Sequence, residues 1–414
     1  MGSSGISITG LGVLACNGIG RETFWKALEE GRSGIRRIKN FDASEFPCQI
    51  AGELQDFNPE DYMRKSEVRN WNRHVHQAVA CSKLAADDAE FTNTGYDSER
   101  IAVGVGTSIG SPNEAYEGHQ EALRTFGYKK VSKLMSSAFS GHSATVHVSI
   151  NLGLRGPAIT IASGCATGLD VLSWGVAQIR SGRADAAVVS ATESPVFPLS
   201  FASACSLGIL SKRNEEPEKA MRPFDRYRDG IVLSEGAVSL ILERSDRARA
   251  RGARILGEVA GNGSAAEGVN PLILDRQGEA LARAITLAME DAGASPYDID
   301  HIQSHGVSLE MYDRCEANAY KLALGGAAYR IPISAIKSMT GQAYAAGGLL
   351  GVAGALMSLN RGVIAPTLNL EDPDPVCGLD FVPLKSRIND VKTALVSAIS
   401  FGGTHSAAVL RRAN

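Results

Sequence analysis

A chain of 414 residues is too long for one ordinary hydrophobic core. With 44% apolar residues, 6% aromatics and 44 glycines, it suits an α/β protein of two halves with many tight turns. The formal net charge of −3, with both signs interspersed, argues against a nucleic-acid footprint. Its seven cysteines are scattered and form no C-x-x-C pair, so they read as free thiols of a reducing compartment, not as disulfides or a zinc site. Met1-Gly2-Ser3-Ser4-Gly5 has no basic stretch followed by an apolar one, so no signal peptide is expected. No apolar run is long enough to span a bilayer, and the expected location is cytoplasmic.

In chain order, Ile6 to Leu14 alternates around Gly10 and Gly12 and reads as a strand. Arg21 to Glu30 reads as a short helix, and residues 33–62 as loop with short pieces. Arg64 to Ala86 reads as one helix whose polar side carries Arg64, Lys65, Arg69 and Arg73. Ile101 to Thr107 is an expected strand, Asn113 to Phe126 a helix, and Lys129, Lys130 and Lys133 add a second basic cluster. Ala158 to Ala162 reads as a short buried strand and leads into Ser163-Gly164-Cys165-Ala166-Thr167-Gly168. Leu169, Leu172, Val176 and Ile179 then mark a helix.

The small residues around Cys165 suit a tight strand-to-helix turn that gives a ligand close access to backbone. A thiol there sits at the positive end of the helix dipole, which favours thiolate and lowers its pKa. Free backbone N–H groups at the same turn could meet an oxyanion. Two readings stand at this point: an attacking thiol, or a buried structural cysteine.

Ala186 to Ser190 and Ala237 to Glu243 read as strands around a polar loop, Met221 to Gly230. The pattern then starts afresh. Arg254 to Ala260 reads as a strand, Gly278 to Ala292 as a helix, and Ile299 to Gln303 as a strand ending at Ser304-His305-Gly306. Leu309 to Leu324 is an expected helix, Pro332 to Ile336 a strand running into Lys337-Ser338, and Ala343 to Leu359 a helix of small residues. Thr393 to Ile399 and Ala407 to Leu410 read as strands flanking Phe401-Gly402-Gly403-Thr404. Strands and helices alternate alike in the two parts, so duplicated halves are expected over residues 1–250 and 251–414.

Six motifs in order carry a resemblance. They are Leu152-Gly153-Leu154-Arg155-Gly156-Pro157 ahead of the cysteine turn, Arg222-Pro223-Phe224-Asp225, Arg228-Asp229-Gly230, His305-Gly306, Lys337-Ser338-Met339-Thr340-Gly341 and Phe401-Gly402-Gly403-Thr404. The chain resembles the elongating β-ketoacyl-[acyl carrier protein] synthases of type II fatty-acid and polyketide systems, from about residue 6 to 411. The resemblance implies a thiolase-like α/β fold, two duplicated halves in a five-layered αβαβα sandwich, and a dimer. It also implies acyl transfer to a cysteine, decarboxylation of a malonyl carrier-protein thioester and Claisen condensation. No bound cofactor is implied, since the substrates ride on the phosphopantetheine of acyl carrier protein.

Carried over residue by residue, Cys165 falls on the family's nucleophile and His305 on its first catalytic histidine. Lys337 and Glu316 fall on the lysine and glutamate that orient the site, and as a buried pair they would fix the imidazole's protonation. Phe401 falls on the gating aromatic, with the backbone N–H groups of Cys165 and Phe401 as oxyanion donors. Ile109, Phe139 and Phe201 fall on tunnel positions. Arg64, Lys65, Arg69, Lys129, Lys130 and Arg213 would receive the acidic carrier protein.

The departures concern substrate handling. Gln342 stands where the family has its second catalytic histidine, and an amide can donate an N–H but cannot take a proton. Val307 and Leu309 replace the threonines that bind the malonyl pantetheine arm. His405 replaces the asparagine that ends the Phe-Gly-Gly-Thr motif, either to restore a donor or base to the site or to hydrogen-bond backbone behind the turn. Three functions stay open: a specialised ketosynthase, an acyltransferase or non-malonyl condensing enzyme, and a chain-length-type partner of an active ketosynthase.

Overall fold

The strand Ile6–Ala15 (β1) is buried along its whole length, and on it the two halves of the molecule meet. The computed structural model describes residues 5–91, 94–110, 113–131, 133, 140–271 and 273–413, the side chains of 113–119 excepted. The main sheet is built from β1, Ile101–Gly106 (β2), Ala158–Ile161 (β3), Ala186–Glu193 (β4), Gly236–Arg244 (β5), Gly257–Ala266 (β6), His301–Gln303 (β7), Ile333–Ser334 (β8), Thr393–Ile399 (β9) and Thr404–Arg411 (β10). Their order is β3-β2-β4-β5-β1-β6-β10-β9-β7-β8.

Each half repeats one scheme. β3, β2 and β4 are parallel, and β5 and then β1 follow antiparallel. Likewise β8, β7 and β9 are parallel, and β10 and then β6 follow antiparallel. The halves join where Ile6–Ile8 of β1 pairs with Gly257–Val259 of β6.

Six helices complete the layers: Arg73–Asp88 (α1), Ser143–Leu152 (α2), Thr167–Arg180 (α3), Glu279–Ala292 (α4), Glu310–Leu324 (α5) and Tyr344–Arg361 (α6). Val75 and Val79 of α1 and Val148 of α2 pack on Val103, Val105 and Ile241. Leu281 and Ile285 of α4 and Tyr320 of α5 pack on Ile302, Leu395 and Val409. Between the half-sheets, Leu169 and Leu172 of α3 meet Leu349 and Leu356 of α6, with Val189 on one side and Val396 on the other. The result is the expected αβαβα sandwich. α6 is buried from Ala345 to Leu359, as a helix covered all round must be, which accounts for its apolar and small-residue composition.

The structure corrects several boundaries. The single helix expected from Arg64 to Ala86 is two, Lys65–Asn70 and Arg73–Asp88, because Trp71 is extended. The break turns Arg73 inward onto the buried carboxylate of Glu235 and takes it off the polar face. β6 runs from Gly257 to Ala266, well past the expected end at Ala260. A Cβ at Gly263 would lie 2.2 Å from the Ala284 carbonyl oxygen of α4, so close helix–sheet packing requires glycine in this strand. No helix among the described residues is long and apolar enough to cross a membrane.

Candidate active site

β3 ends at Ile161, and the chain enters α3 through the 3₁₀ turn Gly164–Ala166. Gly164 has φ 65°, and a Cβ on it would lie 2.0 Å from Ser400 Oγ, so the turn needs glycine. Cys165 is buried at the middle of the turn. Its sulfur accepts from Gln342 Nε2 at 3.3 Å and faces the backbone N–H of Phe401. Its own N–H, expected to be a free oxyanion donor, instead donates to Ser400 Oγ at 3.0 Å.

Burial pushes the Cys165 thiol up to about 11, against the pull of the Lys337 ammonium and the Phe401 N–H. The thiolate expected from the helix start is therefore corrected: the loss of water outweighs the local dipoles, and at neutral pH the group is a thiol. A raised pKa means the reactive thiolate fraction keeps growing as pH rises. Alkylation of Cys165 by iodoacetamide is expected to increase about tenfold per pH unit from 7 to 9 without a plateau. A plateau below pH 7.5, followed by intact mass, would show a resting thiolate.

His305 follows β7, and its position is set through its backbone. Glu316 of α5 accepts from the His305 N–H at 2.6 Å and the Gly306 N–H at 2.8 Å. Tyr320 and Ser397 also donate to this carboxylate, at 2.6 and 2.8 Å. Lys337 Nζ lies 2.9 Å from His305 Nδ1 and donates to the His305 carbonyl oxygen at 2.6 Å. An ammonium only donates, so Nδ1 accepts and the ring proton sits on Nε2. Burial, with the charges of Lys337 and His405 adding to it, holds the imidazole pKa well below its usual value, so the ring is neutral.

His305 Nε2 is buried without a partner among the described residues, leaving an N–H donor for a ligand. Burial also lowers Lys337 to about 8. Lys337 and Glu316 are both buried and act at different points: lysine, its ammonium favoured by the Glu316 charge, holds the imidazole, and glutamate, filled by four donors, holds the backbone beneath it.

Gln342 is fixed by its main chain. Its N–H donates to the Val232 carbonyl at 2.8 Å, and its carbonyl accepts from Ser234 N–H at 3.0 Å. The amide nitrogen is thereby aimed at Cys165, and Oε1 is buried without a partner among the described residues. His405 Nε2 lies 2.8 Å from the Glu267 carboxylate, a partner that neither expectation named, and the Thr404 backbone of the turn also bears on the ring. Phe401 is 48% exposed, hence a rim residue and not a core aromatic.

Val307 belongs to a buried apolar cluster with Phe201, Val196 and Leu233, and Leu309, Tyr312 and Tyr344 pack against that cluster. Ile109 is exposed on a loop whose N–H groups at 108, 109 and 110 all donate to the buried Glu193. Phe139 lies outside the described residues.

The basic positions differ among themselves. Arg64 and Lys65 are exposed and lie against Glu67 at 2.8 Å and Glu60 at 3.5 Å. Arg69, Lys129 and Lys130 are exposed. Arg213 is half-buried, its guanidinium 3.6 Å from Asp229 and donating to the Tyr227 carbonyl at 2.9 Å.

Sequence reasoning passed over Ser400, Asp313, Glu267, Tyr312 and Tyr344. Asp313 accepts from Phe224 N–H at 2.8 Å and Val307 N–H at 3.0 Å and lies 3.3 Å from Arg228. It thus ties both arginine motifs to the His305 loop. Its place three residues before Glu316, on the same helix face, was the available signal. Glu267 lies between the expected elements ending at Ala260 and starting at Gly278, where nothing in the sequence marks it as His405's partner.

Comparison with known proteins bears on the fold and the family. Residues 3–248 match the model of the β-ketoacyl synthase N-terminal domain, and residues 256–371 that of the β-ketoacyl synthase C-terminal domain. The chain is 36% identical over 398 residues to a 3-oxoacyl-[acyl-carrier-protein] synthase 2 of Synechocystis, covering 96% of this chain and 95% of that protein. It is 36% identical over 415 residues to the tetracenomycin polyketide synthase ketoacyl synthase alpha subunit of Streptomyces glaucescens, covering 98% and 97%.

Among solved structures, a type II polyketide ketosynthase in complex with its acyl-carrier protein, bound to the hexaketide, superposes with a TM-score of 0.91 at 32% identity. The match covers 99% of this chain and 100% of that one. The ishigamide ketosynthase/chain length factor gives 0.92 at 30%, covering all of both chains. With both family models matched and full-length relatives above 30% identity, the chain belongs to the β-ketoacyl synthase family, the acyltransferase-class condensing enzymes of fatty-acid and polyketide synthesis.

Proposed function

We propose that this chain is a specialised ketosynthase that takes an acyl group onto Cys165 and extends it with a malonyl thioester borne on acyl carrier protein. In this reading the Cys165 sulfur attacks the acyl carbonyl, and the carrier thiol leaves with the proton. Malonyl thioester then binds with its carbonyl oxygen toward His305 Nε2–H and the Gln342 amide. Loss of CO₂ leaves an enolate held by those donors, and its carbon displaces Cys165 from the acyl group. Lys337 and Glu316 act as positioning residues for His305, and Phe401 stands at the mouth of the pocket.

The observation that carries the proposal is the unpartnered, buried Nε2–H of a neutral His305, held by the same Lys337 whose charge bears on Cys165. Intact-mass analysis after exposure to acyl carrier-protein thioesters, and then to malonyl carrier protein, tests it. An acyl adduct on Cys165 that disappears as a two-carbon-longer 3-oxoacyl carrier protein forms is the expected result. An adduct that persists favours a second reading, acyl transfer without decarboxylation, which the apolar Val307 and Leu309 support. No adduct at all favours a chain-length-type partner role.

The division into halves at about residue 250 belongs to the same reading, as does dimerisation. β3 is an edge strand with Ala158 and Ile159 exposed, and Ile150 and Val146 of α2 are exposed as well. That unpaired apolar edge suits a second ketosynthase chain, identical or homologous. For the carrier protein, Arg64, Lys65, Arg69, Lys129 and Lys130 offer exposed positive charge to an acidic partner, with Arg213 beside them in a half-buried, already paired state. Charge reversal at Lys65→Glu and Arg69→Glu is expected to raise the apparent KM for carrier-protein substrates about tenfold, and to leave small pantetheine thioesters unaffected. Steady-state kinetics at low and high salt checks it, and equal KM values would move the docking face elsewhere.

A further inference from the structure

A second recess opens at the tip of β1, apart from the Cys165 pocket. Cys16 and Asn17 form the two-residue turn between β1 and the short strand Gly18–Ile19. Asparagine in a turn usually hydrogen-bonds nearby backbone or faces water. Here Oδ1 and Nδ2 of Asn17 are both buried and have no partner among the described residues. One donor nitrogen and one acceptor oxygen stay unfilled whichever way the amide is turned. Buried polar atoms are rarely left so, and two on one side chain suit a ligand that supplies both partners.

Asn17 lines a cleft of about 1110 Å³, large enough for a base with its sugar. Cys165, His305, Gln342 and Phe401 do not line it. Three residues that do line it brace the loop leading to Gln342. Gly34 N–H donates to the Met339 carbonyl at 2.8 Å, Cys16 Sγ to the Thr340 carbonyl at 3.2 Å, and Leu368 N–H to Ser338 Oγ at 2.9 Å. The turn bearing Asn17 is therefore held from behind. Phe57 and Tyr62 add aromatic rings to the cleft wall, 6.0 Å apart. Its carboxylates, Asp56, Asp61 and Glu218 among them, outnumber its cations, and Arg32 and Lys219 are engaged by Glu30 and Glu216. That balance favours a neutral ligand over a polyphosphate.

A flat group with an N–H donor beside an acceptor meets an asparagine amide in two hydrogen bonds, as adenine does through N6 and N7. The trans amides of a pantetheine arm place donor and acceptor on opposite sides and cannot pair in this way. We propose that this cleft binds a neutral, planar ligand with such an edge, a nucleobase or a primary carboxamide, and that Asn17 reads the edge. The site stands independently of the chemistry at Cys165.

Isothermal titration calorimetry of the full chain with adenosine and with nicotinamide tests the proposal and tells the two sources apart. Saturable binding of at least one of them is expected. Purine riboside lacks the N6 donor and 3-acetylpyridine lacks the amide N–H. Each is expected to bind at least about tenfold more weakly than its parent. Asn17→Leu is expected to weaken the parent ligands by a similar factor, with circular dichroism reporting its fold. The analogue comparison on the unaltered protein decides the matter if that variant does not fold. ATP is expected to bind more weakly than adenosine, and N-ethylmaleimide mapped to Cys165 by peptide mass is expected to leave binding unchanged.

No binding of either probe overturns the inference and leaves water as the partner of Asn17. Equal binding of parents and analogues overturns the role of Asn17. Tighter binding of ATP would make the cleft a phosphate site and overturn the proposed ligand class. Loss of binding on modification of Cys165 would place the ligand in the catalytic pocket and overturn the separate site.

Discussion

A Cys165→Ala variant is expected to take up no acyl group from carrier-protein thioesters, a loss of about 10⁴-fold or more in labelling. Six other cysteines remain, and their surroundings explain why none substitutes. Burial raises Cys16, Cys48, Cys81 and Cys377 to about 12, and it raises Cys205 and Cys315 as well. Cys165 is also a thiol at rest, but it alone has the Gln342 N–H, the Phe401 N–H and the Lys337 charge directed at it. Those groups favour the thiolate as it forms. The alanine side chain fits the same turn, so the variant should keep its fold, checked by circular dichroism beside the mass measurement. Equal labelling of the variant would show that the nucleophile is another residue.

Much of this site was legible in the sequence because its chemistry sits at places where the chain changes element. Cys165 lies at a strand-to-helix turn, His305 just past a strand end and Phe401 in the hairpin between β9 and β10, and small residues or a strand end marked each of them. What the sequence hid were pairings between distant elements. Nothing local reveals that Glu316 holds the backbone of His305 and leaves Lys337 to the imidazole, since both arrangements bury the same residues. Nor does spacing tell that Ser400 takes the Cys165 N–H, a contact made across the central layer.

The helix break at Trp71 was hidden for another reason. Charged residues on both sides continue the polar period, and only the demand of buried Glu235 for a cation draws Arg73 inward. The thiol's pKa was misjudged because a sequence displays a helix start but not the depth at which that start is buried.

The residue that replaces the second histidine decides whether condensation survives. In the proposed reaction two N–H donors meet the enolate, and His305 would supply one. The Gln342 amide already reaches the Cys165 sulfur at 3.3 Å, while His405 is committed through Nε2 to Glu267 at 2.8 Å. Gln342→Ala is therefore expected to lower condensation turnover by about 10²–10³, the usual consequence of losing one such donor. Acylation of Cys165 should stay within about tenfold of the unaltered protein, because the Phe401 N–H and the Lys337 charge remain. Gln342→His should keep or raise malonyl decarboxylation, since an imidazole N–H can serve as the same donor.

His405→Asn should change turnover little, because its ring holds Glu267 and not the reacting oxygen. Release of CO₂ from malonyl carrier protein, measured beside acyl-enzyme formation, separates the cases. A strong loss in His405→Asn with none in Gln342→Ala would reverse the assignment. Full decarboxylation in both variants would mean that neither side chain meets the enolate, and the second donor would then have to come from elsewhere. The Cys165 N–H is the nearest candidate, once Ser400 releases it.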